Sequence, residues 1–478
     1  MIDFSLFDAE LAAPNVMETL RNGQIGDGLT LSTPFGAPKL LYADYIASGR
    51  ALTVVEDFVR TQVLPFYANS HTEASAVGQA MTRGREVARA RIAQALGAGP
   101  QAHVIFAGQG ATTAVNRLVG LLDVPARVQR GEEIDVLIGP YEHHSNILPW
   151  RESGARVIEI AEAAGGGVDL ADLESRLRAA RGSVIGAFSA ASNVTGILTD
   201  VDAVTELLKA HGALALWDYA CAAPYVPMQM GTGLRAKDAI FYSSHKFAGG
   251  PGASGVLCVR GSVVRRQTPT ATGGGTVAFV SPQAHRYSEL VVTREEAGTP
   301  DGVGDIRAAL VMAVKQAMLH AGAETPQALR AKGLAALGDH PRIDLLGPMC
   351  ANALPIFAFR VRDGQGGYVH QQLVTRLLSD VHGVQARGGC ACAGPYAHRL
   401  LGIGEGESQA LDRRLQAGDE MAKPGWVRLN LSALMDDAKQ ARLLAAVCDI
   451  ATRAADLSQH YAVDPQTARF RWAAELAA

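Results

Sequence analysis

The stretch Ala239-Ile240-Phe241-Tyr242-Ser243-Ser244-His245-Lys246-Phe247-Ala248-Gly249-Gly250-Pro251 passes within a few residues from an apolar run to polar side chains and then to glycine. An apolar run this short is too brief for a buried helix and suits a strand covered on both faces. A lysine packed between such a strand and a Gly-rich loop is desolvated, which favours the neutral, nucleophilic amine. Ser243 and His245 lie close enough in sequence to reach a phosphate. A lysine taken alone is more often a solvated surface group. Here the Ser-Ser-His before it and the Gly-Gly-Pro-Gly after it argue otherwise.

The same alternation recurs from about Leu40 to Val259. Apolar runs at Val104–Phe106, Val136–Ile138, Val184–Phe188 and Ala213–Trp217 read as strands, and Ala111–Leu122 and Val201–His211 read as helices. This predicts an α/β domain with a mostly parallel sheet. From Ile306 to about Leu337 the pattern turns helical. A strand at Ile356–Val361, a helix at Val369–Leu378 and a loop at Val384–Pro395 follow, and the chain reads as helical from Asp436 onward. The expected organisation is an N-terminal segment, residues 1–35, packed on a small domain. Residues 36–305 would form a large domain, and 306–478 a smaller α+β domain.

The 478 residues are 48% hydrophobic, ample for a large core. Lys plus Arg number 44 against 47 Asp plus Glu, and no long basic run is present, so neither nucleic acid nor an anionic membrane is indicated as a partner. Met1–Pro14 lacks a basic segment followed by an apolar one, and no stretch is apolar enough to span a membrane. Six cysteines in so long a chain do not make a disulfide framework, which favours the reducing cytoplasm. Cys390-Ala391-Cys392 is the one cluster among them. It is too short to be a metal signature without distant partners, and no metal site is expected.

In open parallel sheets, ligands bind beyond the carboxyl ends of the strands. Gly108-Gln109-Gly110-Ala111-Thr112-Thr113 joins a strand to a helix and could hold an anion, although a Gly turn with Ser or Thr is also an ordinary helix start. His143 follows the Val136–Ile138 run and could stack on a planar ring or shuttle protons, or be a hydrogen-bonded structural group. Asn193 follows Val184–Phe188 and could donate to a ring hydroxyl or carboxylate, or simply form a turn. Asp218 ends the Ala213–Trp217 run, where a buried carboxylate requires a cation or strong donors. A protonated pyridine nitrogen is such a cation, and pyridoxal 5′-phosphate (PLP) needs such a carboxylate to act as an electron sink. A structural ion pair is the alternative. Five such sites in this order on successive strands point to one cofactor.

At these residues the chain resembles the class V aminotransferases of the fold-type I PLP enzymes, and within them the cysteine desulfurase and selenocysteine lyase branch. The matching residues are Tyr42-Ala43-Asp44, Asn69-Ser70-His71, Gly110-Ala111-Thr112, Glu142-His143-His144 with Asn146 to Trp150, Asn193 with Gly196, Asp218, Ser243-x-His245-Lys246, Glu296-Ala297-Gly298-Thr299-Pro300, and Arg387 with Cys392. The resemblance spans roughly residues 40 to 435. It implies that Lys246 forms the Schiff base with PLP and moves protons at the substrate Cα. Asp218 would pair with the pyridinium nitrogen, and His143 would stack on the ring. Gly110, Ala111, Thr112, Ser243 and His245 would hold the phosphate, and Asn193 would sit near the cofactor oxygen and the substrate. Thr299 would reach the partner subunit's phosphate, implying a homodimer. Arg387 would bind the carboxylate of a small amino acid, for which a two-pronged guanidinium is suited. Cys392, five residues on, would take sulfur from cysteine or selenium from selenocysteine as a persulfide or its analogue, releasing alanine, with nearby Arg387 favouring its thiolate. A sulfur-acceptor protein would then be a partner.

Two departures bear on this reading. Cys221 stands three residues after Asp218, where desulfurases commonly carry Gln or His, and Cys390 replaces the usual His-containing approach to the nucleophile. Both leave open an aminotransferase, an epimerase or another C–S lyase without persulfide chemistry, in which Cys392 is an inert loop thiol.

Overall fold

The computed structural model describes residues 1–70, 72–350 and 352–476; His71 lies outside the described residues. Its largest sheet has seven strands. In spatial order they are Ala102–Phe106, Val256–Arg260, Ala239–Tyr242, Leu214–Asp218, Ser183–Ser189, Ile134–Ile138 and Arg156–Glu159. The last five run parallel, whereas Val256–Arg260 is antiparallel to both of its neighbours. Two reversals restore direction. The carboxyl end of Ala102–Phe106 therefore emerges at the same sheet edge as that of Ala239–Tyr242.

Every residue of Ile134–Ile138 and of Ala239–Tyr242 is buried, as strands covered on both faces require. The helix Ala111–Leu121 packs Ala114, Val115 and Leu118 into the core beside Ile105, Val136, Ile185, Leu216, Phe241 and Leu257.

The chain divides into two compact units. The first comprises residues 1–23, 48–191 and 199–323, and the second residues 24–47, 192–198 and 324–478. These boundaries differ from the sequence expectation. Gly302–His320, placed by its position with the small domain, belongs to the first unit, where Asp305 on it meets Arg85 on the helix Ala76–Ala95 at 2.7 Å. The N-terminal helix Phe4–Leu11 also belongs there, with Phe7 edge-on to Phe58 at 5.3 Å. Only residues 24–47 of the N-terminal region join the second unit, where Leu41–Tyr42 pairs in parallel with Val384–Gln385.

The second unit is built on the antiparallel strands Ile343–Leu345, Ile356–Arg362, Trp426–Asn430 and Arg387–Gly389. Their core is closed by the helices Gln371–His382 and Asp437–Leu457 through Leu373, Leu377, Leu443 and Ile450. The C-terminus departs from the helical expectation. After Leu457 the chain forms a hairpin, Tyr461–Asp464 with Arg469–Trp472. Three aromatic contacts hold it: Trp472 lies against Phe35 at 5.2 Å and Tyr461 at 5.4 Å, and Phe470 against His370 at 5.4 Å. Among the described residues no helix is long and apolar enough to cross a membrane.

Candidate active site

In the first unit the carboxyl ends of four strands bring together residues far apart in sequence. Gly110, at φ 133° and ψ −162°, adopts a backbone conformation open to glycine, and a Cβ there would come within 2.7 Å of Ser243 Oγ and 3.0 Å of His245 Cε1. Behind it Gly255 directly precedes the reversed strand, and a Cβ on Gly255 would lie 2.3 Å from Gly110 Cα. Two glycines thus let three backbone segments meet. The Ser243 hydroxyl accepts from Ala111 N–H at 2.9 Å, which ties the Ser243–Lys246 loop to the start of the helix Ala111–Leu121. Thr112, exposed on the first turn, hydrogen-bonds Ser145 Oγ at 2.7 Å. Ser145 in turn fixes His143, because its backbone N–H donates to His143 Nδ1 at 3.1 Å. An N–H donor makes Nδ1 the acceptor and puts the neutral ring's proton on Nε2. His245 is held neutral by burial and by adjacent Lys246, which bring its pKa down to about 4.

Asp218 ends its strand in register with Ser189, and its carboxyl accepts from Ala220 N–H at 2.7 Å. Burial pushes the acid up to about 6, against the downward pull of that N–H and of the Lys246 cation. Two strands over, Glu142 is buried and accepts from Gly139 N–H at 3.2 Å, Asn146 Nδ2 at 2.7 Å, Ser189 N–H at 2.7 Å and Ser189 Oγ at 2.6 Å. Trp150 Nε1 donates to the amide oxygen of that Asn146 at 3.1 Å. Burial still raises Glu142 to about 7. Sequence reasoning assigned Glu142 no role. Its signal was available, since it is a carboxylate directly after a buried strand and immediately before His143.

Glu296 is a second carboxylate whose role the sequence does not reveal. It receives Arg89 Nη1 at 2.8 Å, Arg85 Nη2 at 2.6 Å and the N–H of Phe106 at 2.9 Å. Burial works to raise its pKa, yet the two arginines and the N–H hold it below the ordinary range. This anchors the Glu296–Pro300 segment at its first residue, and Thr299 three positions on is exposed.

In the second unit, Asn193 departs from its expected place in the large domain. Residues 192–198 join this unit because Leu354 N–H donates to Gly196 O at 2.8 Å and Arg330 Nη1 to Thr195 O at 3.2 Å. Asn193 Nδ2 donates to Ala391 O at 2.8 Å, and its Oδ1 is buried with no hydrogen-bond partner among the described residues. Arg387 lies opposite Arg428 on paired strands, and Asp44 joins the two, taking Arg387 Nε at 3.0 Å and Arg428 Nη2 at 3.0 Å. Arg428 is buried and also donates to Asn193 O at 3.0 Å, whereas the Arg387 side chain is 51% exposed. Cys392 is exposed, Cys390 is partly covered, and neither is in a disulfide. Among the described residues no group of three or more His, Cys, Asp or Glu is placed to hold a metal.

These residues fit PLP on their chemistry. Gly110 leaves a floor of Ser243 and His245 that a Cβ would fill, suited to a phosphate at a helix N-terminus. The buried Asp218 holds its proton up to about 6 even with the Lys246 cation nearby, and a pyridinium nitrogen beside it would favour its charged form. In the second unit, Asn193 Oδ1 is an orphaned buried acceptor suited to a hydroxyl.

The family model for class-V aminotransferases matches residues 41–405. A probable cysteine desulfurase of Halalkalibacterium halodurans is 28% identical over 75% of this chain and 85% of its own length. One of Vibrio cholerae is 30% identical over 74% and 85%. Among solved structures, the apo cysteine desulfurase of Thermococcus onnurineus aligns with a TM-score of 0.68 at 22% identity, covering 86% of this chain and 95% of that one. The Escherichia coli cysteine desulfurase in its S-sulfonic acid form aligns with a TM-score of 0.68 at 22% identity, covering 95% and 99%. At this identity the likeness shows the fold, a mostly parallel α/β sheet of fold type I.

Proposed function

The chain belongs to the aminotransferase class-V family of PLP-dependent enzymes, and from that premise we propose that it is a cysteine desulfurase-like enzyme. It removes sulfur from cysteine, or selenium from selenocysteine, releases alanine and leaves the chalcogen on Cys392. The observation that carries this reading is Cys392 itself, an exposed free thiol five residues past Arg387, in a chain whose relatives over three quarters of its length carry the name probable cysteine desulfurase.

PLP, when bound, supplies the electron sink that weakens bonds at and next to the substrate Cα. Ser243, His245, Thr112 and the N–H groups after Gly110 would hold its phosphate, Asp218 would pair with its ring nitrogen, and His143 would stack on the ring. Lys246 anchors it and carries the proton to and from the substrate Cα. Arg387 takes the substrate carboxylate, with Asp44 on its Nε aligning the guanidinium. The Cys392 thiolate attacks the substrate sulfur. A new S–S bond forms as the Cβ–Sγ bond breaks, and the electron pair left on Cβ is protonated to complete alanine.

The same reading includes a homodimer in which Thr299, exposed beyond the anchored Glu296, reaches the phosphate held by the partner subunit. It includes a protein that accepts the sulfur, and a cytoplasmic setting in keeping with six cysteines that form no disulfide among the described residues. The test is product analysis. Holoenzyme given L-cysteine and a thiol reductant yields sulfide and alanine in equal amounts. Conversion of an amino donor to its keto acid without sulfide would replace the desulfurase reading with an aminotransferase one.

A further inference from the structure

We propose that Cys390 is a second sulfur-carrying residue, which takes the sulfane sulfur from Cys392 and frees Cys392 for another turnover. This rests on the desulfurase reading above and goes beyond it. Ala393 N–H donates to Cys390 O at 3.2 Å, closing a turn whose central residues, Ala391 and Cys392, both have φ 55°. Two left-handed residues in succession are the arrangement of a type I′ turn, which Gly and Asn ordinarily fill. An alanine and a cysteine adopt this conformation only where other contacts impose it.

Those contacts are present. The Asn193 amide donates to Ala391 O at 2.8 Å at the middle of the turn. Gly389 precedes it at φ 127°, on the strand paired with Trp426–Asn430. The helix Gly394–Leu401 follows at once. The turn is thus held at its start, middle and end, with Cys390 at its first position and Cys392 at its third.

The chemistry that suits such a pair is thiol–persulfide exchange. The Cys390 thiolate attacks the terminal sulfur of the Cys392 persulfide. A bond forms between Cys390 Sγ and that sulfur, the bond from it to Cys392 Sγ breaks, and Cys392 departs as the thiolate. One persulfide replaces another, the transferred sulfur keeps its proton, and nothing is oxidised or reduced. In-line attack sets the two Sγ atoms about two S–S bond lengths apart, roughly 4 Å. The exchange therefore asks less of a Cys-x-Cys pair than a direct disulfide, which would bring the two Sγ atoms to a single bond length and close a small ring. The gradient in exposure gives the transfer a use: Cys392 is exposed, where substrate arrives, and Cys390 is partly covered, where a stored sulfur is shielded from outside thiols. Two thiolates provide half of a tetrahedral metal shell, and among the described residues no third His, Cys, Asp or Glu joins them.

The test counts sulfane sulfur on the anaerobic holoenzyme after excess L-cysteine without reductant, by cyanolysis and by mass spectrometry of the 390–392 peptide. Wild type is expected to stop at two sulfane sulfurs per chain, one on each cysteine, and Cys390→Ser and Cys390→Ala at one. A single sulfur in wild type, both sulfurs on Cys392, or a Cys390–Cys392 disulfide with hydrosulfide release would each overturn the relay. Alanine formation with no sulfane sulfur on either cysteine, or an undiminished load in Cys392→Ala, would instead overturn the assignment of Cys392 as the first acceptor.

Discussion

The Ser243–Lys246 loop and the Cys390–Ala393 turn both carry reactive side chains after a strand, but they are held in different ways. Around the first, buried groups do the holding: Ser243 takes the N–H of Ala111, Asp218 takes that of Ala220, and Glu142 collects four donors from two neighbouring strand ends. Around the second, the backbone itself is bent into a conformation its residues disfavour, one amide donates into the turn, and the nucleophile is left exposed. A cofactor that stays bound wants fixed, desolvated partners. A thiol that must meet a substrate and then a sulfur acceptor wants access on both occasions. Preorganisation is expressed as buried hydrogen bonds in the first region and as a strained, stapled turn in the second.

The contrast can be broken most severely at Lys246. Lys246→Ala should lower turnover by about three orders of magnitude or more and remove the wild-type visible absorbance band. Borohydride should fix the cofactor covalently to wild type and not to the variant. Retention of the covalent adduct would mean that another lysine anchors it.

In the exposed region, Arg387→Ala should raise KM for cysteine about 10- to 100-fold, the worth of a charged hydrogen-bonded contact, with a smaller change in kcat. Arg387→Lys should recover only part of this, because Asp44 aligns a guanidinium through its Nε. An unchanged KM in steady-state assays would remove Arg387 from the carboxylate site.

Effects on stability should separate the regions as well. Glu142→Gln puts an amide N–H₂ among donors, and the apoprotein should lose about 2–3 kcal/mol in urea unfolding. Cys392→Ala should lose far less, as an exposed side chain. Equal losses would erase the distinction.

The buried region also makes stability depend on pH. Asp218 holds its proton more tightly folded, at about 6, than an ordinary Asp at 3.8, and Glu142 does so at about 7 against 4.5. Each contribution to apoprotein stability is therefore fully present below the unfolded pKa and lost as pH rises through the folded one. Urea midpoints should decline between about pH 4 and 7, and Asp218→Asn should remove up to about 3 kcal/mol of that decline. A slope unaltered in the variant would show that the Asp218 site is not desolvated.

The parallel strands were legible in the sequence because burial on both faces leaves an unbroken apolar run. Val184–Phe188 and Ala239–Phe241 agree with the observed strands to within a residue or two. The reversed strand Val256–Arg260 carries an apolar run of the same kind, but its direction left no mark, since direction is set by pairing and not by composition. The same holds for Asn193, whose place in the second unit depends on hydrogen bonds from residues more than a hundred positions away to the carbonyls of its loop. Asp44 stood within a matching motif, yet its bond between Arg387 and Arg428 appears only when three distant segments meet. The C-terminal hairpin was hidden by an Ala-rich approach. Its aromatic contacts to Phe35 and His370 outweigh helix propensity.

The central claim, that sulfur leaves the substrate onto Cys392, is tested most directly by a single anaerobic turnover of holoenzyme with L-cysteine, wild type beside Cys392→Ala. Wild type should form one alanine per chain with sulfane sulfur bound to the protein. Cys392→Ala should keep the wild-type cofactor spectrum and form no alanine. Alanine and sulfide released by Cys392→Ala at the wild-type rate would contradict the account.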